Sequence, residues 1–132
     1  MIIDSAFLDS LTLKAKESPR LRMNFDLRNS PNDLSQRMLN AIEPGSYMPV
    51  HRHRTSSETI VVLRGHLRED FYSDEGMLLY SVDLVPGGES VAINIPVGSW
   101  HTLTALESGS VILETKDGPY APISEEDILE TH

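Results

Sequence analysis

Two histidines and a carboxylate stand close together in the stretch "HRHRTSSE" of residues 51–58. On an extended segment, residues i and i+2 point to the same face, so the imidazoles of His51 and His53 can converge on one point. Glu58 opens a run of β-branched residues and shares parity with Ile60 and Val62. If that face is interior, Glu58 points into the core, where an unpaired carboxylate is costly. A divalent cation would neutralise it and satisfy its lone pairs. A third imidazole, His101, follows the turn "IPVGSW" and shares one strand face with Leu103 and Ala105. Each of these residues alone reads as readily as polar surface or a hydrogen-bonded half-buried group, and the weight lies in the conjunction. Three neutral nitrogens and one carboxylate suit Zn, Fe(II), Mn(II), Ni(II) or Cu(II). At a five- or six-coordinate ion this set leaves positions open for water, substrate or O₂.

The segments around these residues must form strands to hold them. Residues 4–17 read as a helix, with Asp4 or Ser5 as cap and an apolar stripe of Phe7, Leu8, Leu11 and Ala15. Lys14 and Lys16 fall where the helix dipole favours cations, and Ser18-Pro19 ends the helix. From there the pattern is β-like. Strands are expected at 20–28, 36–43, 58–64, 66–72, 77–83, 90–95, 100–107 and 110–116, with turns at "NSPND", "PG", "SDEG", "VPGG" and "SG". A short helix is expected near 124–130, capped by Ser124. Some eight short strands with regular turn signals point to an all-β sandwich or barrel.

Composition sets the limits. The 132 residues fit a single domain, 1–132, and 39% are hydrophobic, enough for one core. Within it we expect an N-terminal helix-and-strand extension over 1–35, a barrel over 36–120 and a tail or short helix over 121–132. A net charge of −9 argues against nucleic acid or an anionic membrane as partner. The absence of cysteine excludes disulfides and thiolate metal ligands. With no leader visible in "MIIDSAFLDS", the expected location is the cytoplasm.

The spacing Gly45-x5-His51-x-His53-x4-Glu58-x6-Gly65 resembles the first cupin motif at every defined position, and Pro96-x-Gly98-x2-His101 resembles the core of the second. Ser90 and Ala105 stand where that second motif has glycine and asparagine. The segments "SPRLRMNFDLRNSPNDLSQRMLNAIEPGSYMPVHRH", "VVLRG", "PVGSWHTLTALE" and "ETKDGPY" are similar to the WbuC-like cupin-fold metalloproteins, often encoded in surface-polysaccharide gene clusters. The resemblance runs from the first helix through Tyr120. It implies a double-stranded β-helix, or jelly-roll barrel, and a divalent metal (Fe, Zn, Mn or Ni) held by His51, His53, Glu58 and His101.

Around that centre, Arg22, Arg37 and Lys116 are candidates for binding an anion. Gln36, Asn40, Tyr47, Trp100 and Tyr120 are candidates for lining the mouth, Asn40 being a polar outlier between Met38 and Ile42. No catalytic residue stands out; Glu58 is the sole general-base candidate and is already a metal ligand. His66 is expected at an edge or surface. The functions these features suggest are a metal-dependent isomerase, epimerase or dioxygenase acting on a sugar or sugar nucleotide, or a non-catalytic metal- and ligand-binding module. A purely structural metal is the weaker third reading. Exposed sheet edges suggest a homodimer.

Overall fold

The computed structural model describes residues 1–131, so His132, expected in the terminal tail, lies outside the described residues. Helix α1 spans Ser5–Glu17, and its first turn is capped as expected: the Phe7 N–H donates to Asp4 Oδ1 at 2.9 Å. It stops at Ser18, whose extended backbone (ψ 138°) suits the residue before a proline. Its apolar stripe is used in full. Leu11 and Ala15, with Phe7 and Leu8 beside them, pack on Leu39, Ala41 and Val111. The helix therefore covers the outer face of one sheet.

Ten strands follow: β1 (Arg22–Asp26), β2 (Ser35–Ile42), β3 (Val50–His51), β4 (Glu58–Arg64), β5 (Leu67–Tyr72), β6 (Leu78–Leu84), β7 (Ala92–Ile95), β8 (Trp100–Ala105), β9 (Ser110–Asp117) and β10 (Ile128–Leu129). They form two five-stranded antiparallel sheets, in the orders β1-β2-β9-β4-β7 and β10-β3-β8-β5-β6. This is the expected all-β jelly roll with an N-terminal helix. The main core lies between the sheets, where Ile60 and Val62 of β4 meet Leu67 and Phe71 of β5 and Leu103 of β8. Along β4, Glu58, Ile60 and Val62 are buried while the residues between them are half-buried, so Glu58 does share the interior face.

Strand β2 departs from simple alternation because both of its faces are covered. Leu39 and Ala41 lie under α1, while Asn40 and Ile42 face the barrel interior. Gly65 ends β4 with φ +89°, and a Cβ there would stand 2.2 Å from Ser110 Oγ and 2.5 Å from Ser110 Cα. Only glycine fits this close crossing of the β4–β5 turn against β9. At the outer edge of the second sheet, β6 exposes Leu78, Leu79 and Tyr80.

The C-terminal segment differs from the expected helix. A single 3₁₀ turn at Glu125–Asp127 leads straight into β10, and Ser124 makes no capping bond. The reason is competition for the backbone, since Ile128 and Leu129 pair with His51 and Val50. Both β3 and β10 are two residues long, too short to show a period. No helix among the described residues is long and apolar enough to cross a membrane.

Candidate metal centre

Both sheets supply the site. His51 sits on β3 directly opposite His101 of β8, and Glu58 opens β4 in the facing sheet. His53 lies just past β3, and its carbonyl accepts from the Gly98 N–H at 2.8 Å. That bond ties the turn before His101 to the segment carrying His51 and His53. One potential ligand atom from each of His51, His53, Glu58 and His101 falls within 4.8 Å of all the others. Their ring centroids are 4.5 Å apart for His51–His101, 5.2 Å for His51–His53 and 6.0 Å for His53–His101.

The donor set fits a divalent cation. Nε2 of His53 and of His101 lie 3.1 and 3.7 Å from Glu58 Oε2. Even so, Glu58 Oε2 and His101 Nε2 are buried with no hydrogen-bond partner. Buried polar atoms are normally satisfied, so orphaned acceptors converging on one point call for a ligand. The second nitrogens are already engaged. His51 Nδ1 stands 2.9 Å from the Pro49 carbonyl, which only accepts, so Nδ1 carries the proton and Nε2 presents its lone pair. His101 Nδ1 is hydrogen-bonded to Glu69. Such outer contacts orient metal-binding imidazoles.

Electrostatics keep the nitrogens free. Burial, reinforced by the neighbouring imidazole of His101, lowers the pKa of His51 to about 3. Burial lowers His53 and His101 to about 4, the latter against the opposing pull of Glu58. All three imidazoles are neutral at neutral pH, the form in which histidine binds a metal. Burial raises Glu69 to about 9, and burial together with the Glu58 carboxylate raises Glu114 to about 7.

The four residues line an inner cavity of about 120 Å³, walled further by Asn40, Glu69, Glu114, Lys116 and Ile123. An outer cavity of about 390 Å³ lies beside it, lined by Gln36, Arg52, Arg54, Lys116 and the tail residues Pro119, Ile123 and Asp127. His53, Lys116 and Ile123 line both, so they stand where the two cavities adjoin. The tail is stitched across this mouth. Gln36 Nε2 donates to the Gly118 and Pro119 carbonyls at 3.1 and 3.2 Å. At the other end, Arg52 and Arg54 bind Asp127 at 2.9 and 2.6 Å.

The other candidates separate. Asn40 lines the inner cavity, where its Nδ2 donates to Glu114 Oε2 at 3.3 Å and its Oδ1 is buried without a partner. Gln36 walls the outer cavity. Lys116 lines both, and Arg22, Arg37, Tyr47, Trp100 and Tyr120 line neither. Arg22 donates to the Tyr47 carbonyl at 2.6 Å, and Arg37 pairs with Asp33 at 3.2 Å. Tyr47 is 78% exposed. Trp100 is buried and donates to Asp74 at 2.9 Å, while its ring carries the Arg52 guanidinium at 4.3 Å. Tyr120 stands under Arg28, and His66 pairs with Asp83 at 2.9 Å near the surface.

Sequence reasoning missed Glu69 and Glu114. The signal was available, because Glu69 shares parity with Leu67 and Phe71, and Glu114 with Ile112, just as Glu58 does with Ile60. The tail residues Ile123 and Asp127 carried no such signal.

Residues 3–84 match the family model described as a domain of unknown function, DUF6016. No curated protein matches the chain. Among solved structures, a recombinant oxalate oxidase in complex with glycolate is similar with TM-score 0.65 and 19% identity, over 83% of this chain and 57% of that one. This chain thus spans little more than half the length of the oxalate oxidase. KdgF from Halomonas sp. is similar with TM-score 0.62 and 16% identity, over 78% and 84% of the two chains. A cupin 2 domain-containing protein from Halorhodospira halophila has TM-score 0.60 and 19% identity, over 78% and 68%. At these identities the likeness speaks for the fold. The chain belongs to the DUF6016 family, and its fold is that of the cupins.

Proposed function

We propose that this protein is a metal-dependent cupin enzyme that acts on a small, oxygen-rich molecule such as a sugar or sugar derivative. The observation that carries the reading is the convergence of His51, His53, Glu58 and His101, with the Glu58 and His101 donor atoms orphaned in the interior. A divalent ion held there supplies Lewis-acid polarisation of a carbonyl or hydroxyl oxygen. The chain's own groups complete the chamber. Asn40 offers an unpartnered carbonyl oxygen, and Glu114, with its pKa near neutrality, can hold or release a proton beside a bound ligand. Ile123 and the tail residues wall the chamber on its outer side.

The larger polar cavity adjoining the site favours catalysis or ligand binding over a structural metal, whose site is ordinarily closed. The link to surface-polysaccharide chemistry rests on the WbuC-like sequence segments. Isomerase and epimerase activity would show as metal-dependent exchange of substrate C–H for deuterium, read by NMR across a panel of sugars, sugar acids and sugar nucleotides. Oxygenase activity would show as O₂ uptake. Turnover lost in His101→Ala is the expected result. Binding without any turnover across the panel would favour the non-catalytic module instead.

A further inference from the structure

Three cations line the outer cavity, and two are already occupied. Arg52 and Arg54 share Asp127, and Arg54 also reaches Glu126 at 3.3 Å. Lys116 is different. Among the described residues its ammonium makes no ion pair within 4.0 Å and no side-chain hydrogen bond, although it is half-buried in a chain of net charge −9. Its position on β9 is set by register, with Gln36 of β2 on one side and the metal-ligand candidate Glu58 of β4 on the other. It lines both cavities and so stands where they adjoin.

The inner cavity limits what can enter. Its volume is about 120 Å³ against about 390 Å³ for the outer cavity, so the acid end of a sugar-sized ligand would enter it while the bulk occupies the outer one. Charge limits it further. One free ammonium matches one negative charge, and among the described residues no second unpaired cation lines either cavity. This disfavours a phosphate dianion.

We propose that Lys116 is a substrate-binding residue that holds the carboxylate of a 2-hydroxy or 2-oxo acid, such as the acid end of a sugar acid, at the threshold of the metal centre. The proposal rests on the metal-centre reading above and deepens it by naming the substrate class. A single mobile ammonium suits a carboxylate that must shift between the outer and inner cavities, because it acts as a point charge without the fixed fork of arginine.

Calorimetric titration of the metal-replete protein tests this, with glycerate, its neutral counterpart glycerol and inorganic phosphate as probes. The metal content of each sample is measured alongside. Lys116→Gln is expected to keep its metal and to bind glycerate about ten- to a hundredfold more weakly, as for the loss of a charged hydrogen bond. Lys116→Arg is expected to recover most of that affinity, which separates a lost charge from a damaged fold. Glycerate binding to Lys116→Gln as tightly as to the wild type would overturn the proposal. So would glycerol or phosphate binding the wild type as tightly as glycerate, or glycerate failing to bind it. A wild-type protein that takes up no metal would instead overturn the metal-centre reading, and the metal assay reports that separately.

Discussion

The Glu69 carboxyl group hydrogen-bonds Nδ1 of His101, and the two residues are 0% and 3% exposed. Sealed from water, Glu69 fixes the imidazole's orientation and leaves Nε2 for a metal. A metal on Nε2 requires the proton on Nδ1, and its positive charge favours release of the proton that burial keeps on Glu69. Glu69→Gln keeps the shape and removes the charge. Its metal affinity, measured by competition with a chromogenic chelator, should fall about ten- to a hundredfold with the fold retained. Unchanged affinity would show that Glu69 serves packing alone.

The same groups set the pH dependence of the metal-free protein. Histidine has a pKa of 6.5 when unfolded, against about 3 for folded His51 and about 4 for folded His53 and His101. Between those values the unfolded chain binds protons that the folded chain refuses, so acidification destabilises. Glu69 goes the other way. Its pKa rises from 4.5 to about 9 on folding, so the folded chain holds a proton that the unfolded chain has lost, and stability declines as pH rises through that window. Glu114 adds to this decline up to about pH 7. Above pH 6.5 only the carboxyl trend remains, so the thermal midpoint of chelator-treated protein should drop from about pH 7 to about pH 9. Glu69→Gln should flatten that drop. A wild-type midpoint that climbs over the same range would contradict the assignment.

Gly65, just past the end of β4, packs against Ser110 of β9. Replacing it by alanine forces a Cβ to within 2.5 Å of the Ser110 backbone at φ +89°. Adding the left-handed backbone cost to the overpacking cost gives about 2–5 kcal/mol of lost stability, readable from urea unfolding. Gly98, at φ +81° with nothing within 4 Å of an added Cβ, should lose only the backbone part, about 1–2 kcal/mol. Equal losses at the two positions would mean that Ser110 yields freely.

The tail across the mouth should control exchange more than stability. Asp127→Ala frees Arg52 and Arg54 at one end of the tail. These pairs are solvated, so the loss of global stability should be small. Metal removal by excess chelator, followed by stopped-flow absorbance, should nevertheless be faster than in the wild type. Identical rates would show that the tail does not gate the cavity.

Much of this was legible in the sequence because one face of each central strand is interior. Glu58 sits in step with Ile60 and Val62, and His101 with Leu103 and Ala105, so their burial follows from parity. Glu69 was hidden by its neighbour. In "LREDFY" both Glu69 and Asp70 are buried on opposite faces, Asp70 being held by Arg68 at 3.2 Å and Ser81 at 2.5 Å, so the acidic pair reads as surface. The pairing of β10 with β3 was illegible for another reason. It joins residues 50 and 129 through two-residue strands, a contact that no local pattern encodes. Arg22 and Arg37 look like anion binders by type, yet partners near them in space consume both. Lys116 differs in lining both cavities and, among the described residues, in lacking such a partner.

The most direct measurement is the metal-to-protein ratio of protein purified without added metal, for the wild type and for His51→Ala/His53→Ala. The wild type should carry about one divalent ion per chain, and the variant should carry almost none while keeping the β-rich fold. Full metal content in the folded variant would contradict the assignment of the centre to these residues.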